Sequence, residues 1–177
     1  VTLYNSTGGD HWNVSWDINE SVSQWHGVTV ERNKVIAINL EFNNLEGELP
    51  NEIGNLIHLR SMNFGFNKLN GVIPKSLKNL TELRSLELFM NRLEGNIPPE
   101  LGELKKLEIL KLYSNKLTGE IPESLMGLID LKELLIGSNY LTGGIPIGIS
   151  ALTKLRKLSL MDNKLQGEIP SEIAQLS

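Results

Sequence analysis

A 24-residue unit recurs six times in this chain without one insertion or deletion, and that fact removes most folds from consideration. The copies begin at Val35, Leu59, Leu83, Leu107, Leu131 and Leu155, and the fourth, LEILKLYSNKLTGEIPESLMGLID, is typical. Self-similarity at a period of about 20 to 50 residues marks solenoids and other repeat arrays. A unit this short cannot bury its own apolar face, so neighbours must stack and each copy must point the same positions inward. The portion x-L-x-L-x alternates as a half-buried strand does. Six such strands can pair as parallel neighbours about 4.8 Å apart, in one curved sheet about 25 to 30 Å long.

Composition narrows function more than fold. The chain of 177 residues is 40% apolar and 21% charged, within the ordinary range for a soluble domain. A net charge of −4 offers no basic excess, so nucleic acid is not expected as a partner. With no cysteine, a disulfide framework, a thiolate metal site and a thiol nucleophile are all excluded. No apolar run approaches the roughly 18 residues that span a bilayer, and the opening at Val1, without Met or a basic n-region, reads as a trimmed start.

The invariant positions of the unit have structural readings. Its ninth residue is asparagine in every copy: Asn43, Asn67, Asn91, Asn115, Asn139 and Asn163. An amide with two donors and an acceptor can satisfy buried backbone groups where each strand turns away, so these residues are expected to form a ladder rather than to recognise a ligand. Glycine precedes proline by three residues in each unit, where glycine permits an unusual backbone angle and proline suits a strand end. The next segment of each unit, such as Pro98 to Leu104, is expected to make a short 3₁₀ or α turn on the convex side.

Each unit follows L-x-x-L-x-L-x-x-N-x-L-x-G-x-[IL]-P-x-x-[LI]-x-x-L-x-x, and over 35–177 this resembles the plant-specific class of leucine-rich repeat proteins. The resemblance implies an α/β solenoid: a right-handed superhelix with a parallel concave sheet, short second strands on the flank, and 3₁₀ or short helical turns on the convex side. The units divide as 35–58, 59–82, 83–106, 107–130, 131–154 and 155–177. Residues 1–34 stand outside the register and hold Trp12, Trp16 and Trp25, as a cap covering the first unit's core would. Their LYNSTGGDHW and Trp25-His26-Gly27-Val28-Thr29 resemble the N-terminal caps of bacterial and protist secreted or surface leucine-rich repeat proteins. Thr7 to Asp10 read as a turn, with Asp10 placed to cap the segment after it. Plant caps carry two cysteines where this chain has Ser23 and Val30, so that disulfide is missing.

Function is expected where packing does not dictate the residue. The seventh position reads Glu41, Gly65, Phe89, Tyr113, Gly137, Met161, and the eighth reads Phe42, Phe66, Met90, Ser114, Ser138, Asp162. Placed on adjacent strands, Phe42, Phe66, Phe89, Met90 and Tyr113 would make an exposed patch of interface-favouring side chains. The alternative is that these aromatics shield strand ends or pack on one another. Positions three and five mix signs and sizes, with Glu87, Lys111 and Leu135 expected beside the patch and Met161 further along. The second position carries Arg60, Arg84, Lys132 and Arg156, which could steer an acidic partner but read more simply as a solvated rim.

No catalytic constellation emerges: His11, His26 and His58 are scattered, no carboxylate pair stands out, and no phosphate-binding glycine loop is present. An enzyme, a cofactor and a metal are therefore not expected. Asn5, Asn13, Asn19 and Asn79 open N-x-[ST] glycosylation patterns, three of them in the cap. The last unit ends at Ser177 with Leu158 and Leu160 lacking a following strand, which points to a longer array or to association through that end. The reading is a non-catalytic module that grips a protein or peptide with its concave sheet, secreted or at the cell surface, although the missing cysteines leave the cytoplasm open. The alternative is a structural or adhesive array that binds glycan or another surface.

Overall fold

A computed structural model describes residues 1–175; Leu176 and Ser177, at the end of the sixth unit, lie outside the described residues. Helix α1 (Thr2–Ser6) opens the chain. The strands follow as β1 (Val28–Glu31), β2 (Lys34–Asn39), β3 (Glu46–Glu48), β4 (Ser61–Asn63), β5 (Lys68–Asn70) and β6 (Ser85–Glu87). They continue as β7 (Glu94–Asn96), β8 (Ile109–Lys111), β9 (Lys116–Thr118), β10 (Glu133–Leu135) and β11 (Lys157–Ser159). The main sheet has seven strands in the order β1-β2-β4-β6-β8-β10-β11, parallel except for the antiparallel β1–β2 hairpin. Two-stranded parallel sheets, β3–β5 and β7–β9, form on the flank. A 3₁₀ turn closes each unit, as at Asn51–Asn55, Pro99–Glu103 and Glu123–Gly127.

The pleat sets which positions of each unit point into the core. The fourth position is inward, as at Met62, Leu86 and Leu110, and the sixth is inward again at Phe64, Leu88 and Leu112, all fully buried. The eighth residue then adopts a left-handed backbone in every unit: Phe42, Phe66, Met90, Ser114, Ser138 and Asp162 have φ between 51° and 56°. That twist turns the chain away from the sheet while its N–H still bonds the seventh carbonyl of the next unit, as Phe66 bonds Phe89 at 3.0 Å. Columns seven and eight therefore lie beyond the strand ends, not on the strands as the alternation implied.

Asparagine nine points back into the core at the same turn. Asn115 Nδ2 donates to the carbonyls of Leu88 and Leu112, each at 3.0 Å, and its Oδ1 accepts the Leu93 N–H at 3.0 Å. One side chain thus joins its own turn to the preceding unit. In the first unit the same arrangement is turned on the N-terminal segment, where Asn43 Oδ1 accepts the Val14 N–H at 2.7 Å and Nδ2 donates to the Val14 carbonyl. Glycine thirteen is needed for its backbone: Gly119 has φ +74°, and a Cβ there would stand 2.5 Å from the Asn96 side chain.

The first 31 residues cover the edge of the stack with aromatic rings. Trp12 and Trp16 are buried, Trp25 is half-buried, and Trp16 stacks on Trp25 with ring centroids 4.6 Å apart. Their indole N–H groups bond the carbonyls of Thr7, His26 and Asp17. Two details depart from the expectation. The strand starts at Val28, because Trp25 closes a 3₁₀ turn and Gly27 turns at φ +73°. Asp10 caps nothing; it accepts the Tyr4 hydroxyl at 2.7 Å. At the other end β11 is the edge strand, and Leu158, Leu160 and Leu165 are half-buried.

Candidate functional site: the aromatic margin of the main sheet

Four rings form one row along the turn that ends the strands. Phe42 meets Phe66 edge-on with centroids 6.5 Å apart, Phe66 meets Phe89 edge-on at 5.4 Å, and Phe89 lies parallel to Tyr113 at 4.8 Å. These are favourable aromatic geometries, so the rings hold one another in place. The members differ in what they offer to solvent. Phe42 is 74% exposed, Phe66 44% and Met90 40%, whereas Phe89 is 6% exposed.

Phe89 is thus not the exposed anchor that the sequence implied. Its ring leans back over Gly65, where a Cβ would meet Phe89 Cζ at 2.4 Å, and Tyr113 covers the other side. Phe89 is closed off from both sides, by the glycine one unit earlier and the tyrosine one unit later; Met161, with glycine before it, stays 65% exposed. Glycine before it and tyrosine after it make Phe89 a platform. Met161 repeats the lean over Gly137, apart from the row. Leu135 is half-buried on β10.

The strand faces beside the row are charged but internally paired. Lys111 bridges Glu87 at 2.9 Å and Glu133 at 3.7 Å, and Glu133 also meets Lys157 at 2.6 Å. Glu108 binds both Arg84 and Lys132, and Arg60 pairs with Glu31. Three of the four second-position cations are therefore engaged, and the stripe they seemed to form is not a free basic surface. The tenth column, outside the expected surface, is different: Lys68, Arg92, Lys116, Tyr140 and Lys164 are exposed. It was legible as a column of cations two residues beyond the aromatic one, next to the inward asparagine.

These pairs carry a pH dependence. The hydrogen bond from Lys157 holds the Glu133 carboxyl below its ordinary value, against burial, with Lys111 adding to the effect. Lys132 and then Arg84 do the same for Glu108. Burial alone would lower Lys111, but Glu87 and Glu133 more than offset it and its value is raised. A depressed carboxylate contributes stability above its unfolded value, and the contribution is lost as pH falls through the folded value. Thermal melts from neutral pH down through about pH 4 are expected to show a steeper loss for the intact chain than for Glu133→Gln. Equal slopes would show the pairs to be solvated.

Among the described residues no group of three or more His, Cys, Asp and Glu is placed to hold a metal. An apolar cleft of about 460 Å³ opens between the N-terminal segment and the first unit, against Trp16, Trp25, Val28, Ile38 and Ile53. Its lining brings Glu52 as its one titratable side chain. Among the described residues no helix is long and apolar enough to cross a membrane. The four candidate glycosylation asparagines, Asn5, Asn13, Asn19 and Asn79, are all exposed.

Comparison with known proteins places this architecture. A leucine-rich repeat profile matches residues 34–56, 58–80 and 82–104, and a second leucine-rich repeat profile matches 105–165. No curated protein matches the chain in sequence. Among solved structures, the ectodomain of the Arabidopsis thaliana receptor kinase GASSHO1/SCHENGEN3, in complex with CASPARIAN STRIP INTEGRITY FACTOR 2, is 39% identical with a TM-score of 0.88. The match covers 92% of this chain and 20% of that one. The HAESA ectodomain from Arabidopsis, bound to an extended IDA peptide hormone, is 32% identical with a TM-score of 0.71, over 89% of this chain and 31% of that one. A plant ice-binding protein is 29% identical with a TM-score of 0.90, over 98% of this chain and 57% of that one. The chain thus spans a third or less of either receptor ectodomain. The repeat profiles and the superposition on a plant receptor ectodomain agree: the chain belongs to the leucine-rich repeat family, in its plant-type 24-residue form.

Proposed function

We propose that this chain is a non-catalytic recognition module, part of a secreted or cell-surface protein, that binds a protein or peptide along the aromatic margin of its main sheet. The observation that carries the reading is the eighth column. A left-handed backbone disfavours bulky side chains by about 1 kcal/mol, and an exposed ring adds nothing to the core. Ser114, Ser138 and Asp162 show that small polar residues serve this turn, yet the first three units keep Phe42, Phe66 and Met90 there. Bulky apolar groups kept at a strained, exposed place are explained by something that covers them. Phe89 packs edge-on against Phe66, and Tyr113 extends the row. Receptor ectodomains of the same architecture with bound ligands support the class of function.

An adhesive array that binds glycan or a regular surface fits less well. It would need one face of identical polar residues, whereas the flank position after the glycine reads Glu48, Val72, Asn96, Glu120, Gly144 and Glu168. The test is affinity capture from the native surroundings with the intact chain, Phe66→Ala, Tyr113→Ala and, from the opposite side, Lys105→Ala. The two aromatic variants are expected to lose more than about 2 kcal/mol of binding while Lys105→Ala loses none. Melts run in parallel separate lost contacts from lost fold. Wild-type capture by both aromatic variants would overturn the reading.

A further inference from the structure

Many cations on this chain are answered by carboxylates in a neighbouring unit. Lys106 pairs with Glu82, Lys154 with Asp130 and Lys157 with Glu133, besides the pairs on Glu108 and Lys111. The tenth column breaks this habit. Among the described residues, Lys68, Arg92, Lys116 and Lys164 form no ion pair. Arg32 and Lys34 in the first hairpin, Lys105 on the convex side and Arg156 before the last strand also form no ion pair, but they make no line.

The column is held straight by the backbone. The N–H groups of Lys68, Arg92, Lys116, Tyr140 and Lys164 each bond the carbonyl of the eleventh residue of the preceding unit at 2.8 Å. The step between cations is therefore one strand spacing, about 4.8 Å, and Lys68 to Lys164 spans about 19 Å. Tyr140 stands in the one gap, with the Lys164 ammonium 5.0 Å from its ring centroid. Glu46 and Glu94 are the strand partners of Lys68 and Lys116 without closing on them, so a ligand carboxylate would compete with two local ones. Among the described residues, a chain of net charge −4 thus keeps a line of four cations outside any ion pair.

We propose that this stripe is a second contact line, which takes an extended acidic segment of about six residues from the same protein partner. The proposal rests on the recognition reading above and names the chemistry of that partner. The choice of polypeptide over a sulfated glycan rests on the groups that lie alongside. Phe66 and Met90 precede Lys68 and Arg92 by two residues, with the inward asparagine between, so an apolar row and a cationic row run side by side along the margin. Carboxylates interleaved with apolar side chains complement that pattern; a uniformly anionic polymer does not.

The probe is a fluorescein-labelled peptide, Glu-Phe-Glu-Glu-Phe-Glu, titrated by anisotropy at about 50 and about 300 mM salt beside its glutamine counterpart and heparin. The intact chain is expected to bind the acidic peptide, to prefer it over the glutamine form, and to lose about tenfold in affinity at the higher salt. The triple variant Lys68→Gln, Arg92→Gln, Lys116→Gln should lose about tenfold or more while its circular dichroism and melting stay as in the intact chain. Equal binding by the triple variant, equal binding of the glutamine peptide, or stripe-dependent binding of heparin without the acidic peptide would each overturn the proposal. The recognition reading fails by a different result, capture unaffected by Phe66→Ala and Tyr113→Ala, so the two failures are separable.

Discussion

Phe89→Ala is expected to destabilise the chain by about 3 kcal/mol, more than truncation of any other ring in the row. The ring is 6% exposed, fills the space over Gly65 and stacks on Tyr113 at 4.8 Å. Its removal takes away the transfer energy of a buried phenyl, leaves a cavity that glycine cannot fill, and breaks two aromatic pairs. Phe42→Ala, at a ring 74% exposed, is expected to change stability by less than about 0.5 kcal/mol. Denaturant melts decide the comparison, and equal small losses would show the rings to be independent. Tyr113 supplies a second readout of the same event. Burial, ahead of any charge, raises its hydroxyl above the ordinary 10.0, so opening the Phe89 site to water should return its ionisation toward that value. Since Phe89 holds Phe66 by an edge-on contact, its loss is expected to weaken binding through the position of that ring.

Asn115→Ala should cost about 2 to 4 kcal/mol, because the side chain is one of few buried polar groups and satisfies groups in two units. The Leu93 N–H and the Leu88 and Leu112 carbonyls would each lose a partner at 3.0 Å. Lys116→Ala, the next residue and exposed, is the matched control for stability. Urea unfolding of both variants reads the difference. A loss for Asn115→Ala no larger than for Lys116→Ala would mean that the asparagine turns are solvated. Because each unit contacts mainly its neighbours, the transition is also expected to broaden, as the array divides near the fourth unit.

Much of this molecule was open to reading from the chain alone. The 24-residue period determined which positions face inward, and so the stack, the parallel sheet, the 3₁₀ turns and the place of the asparagines. Periodicity can do this because burial of the same positions in every copy is the condition for stacking at all. The outward positions answered to a different rule. Whether Phe89 is an anchor or a platform was decided by Gly65 and Tyr113, each one unit away, and not by its own alternation. Whether Arg84 and Lys132 form a free basic line was decided by Glu108 standing between them. The strain at Phe42, Phe66 and Met90 came from a turn that must keep the backbone ladder while leaving the sheet. Alternation says on which side of the chain a residue lies. How much of it solvent sees, and which charge it meets, depends on side chains 24 residues away, and only the stacked structure sets those distances.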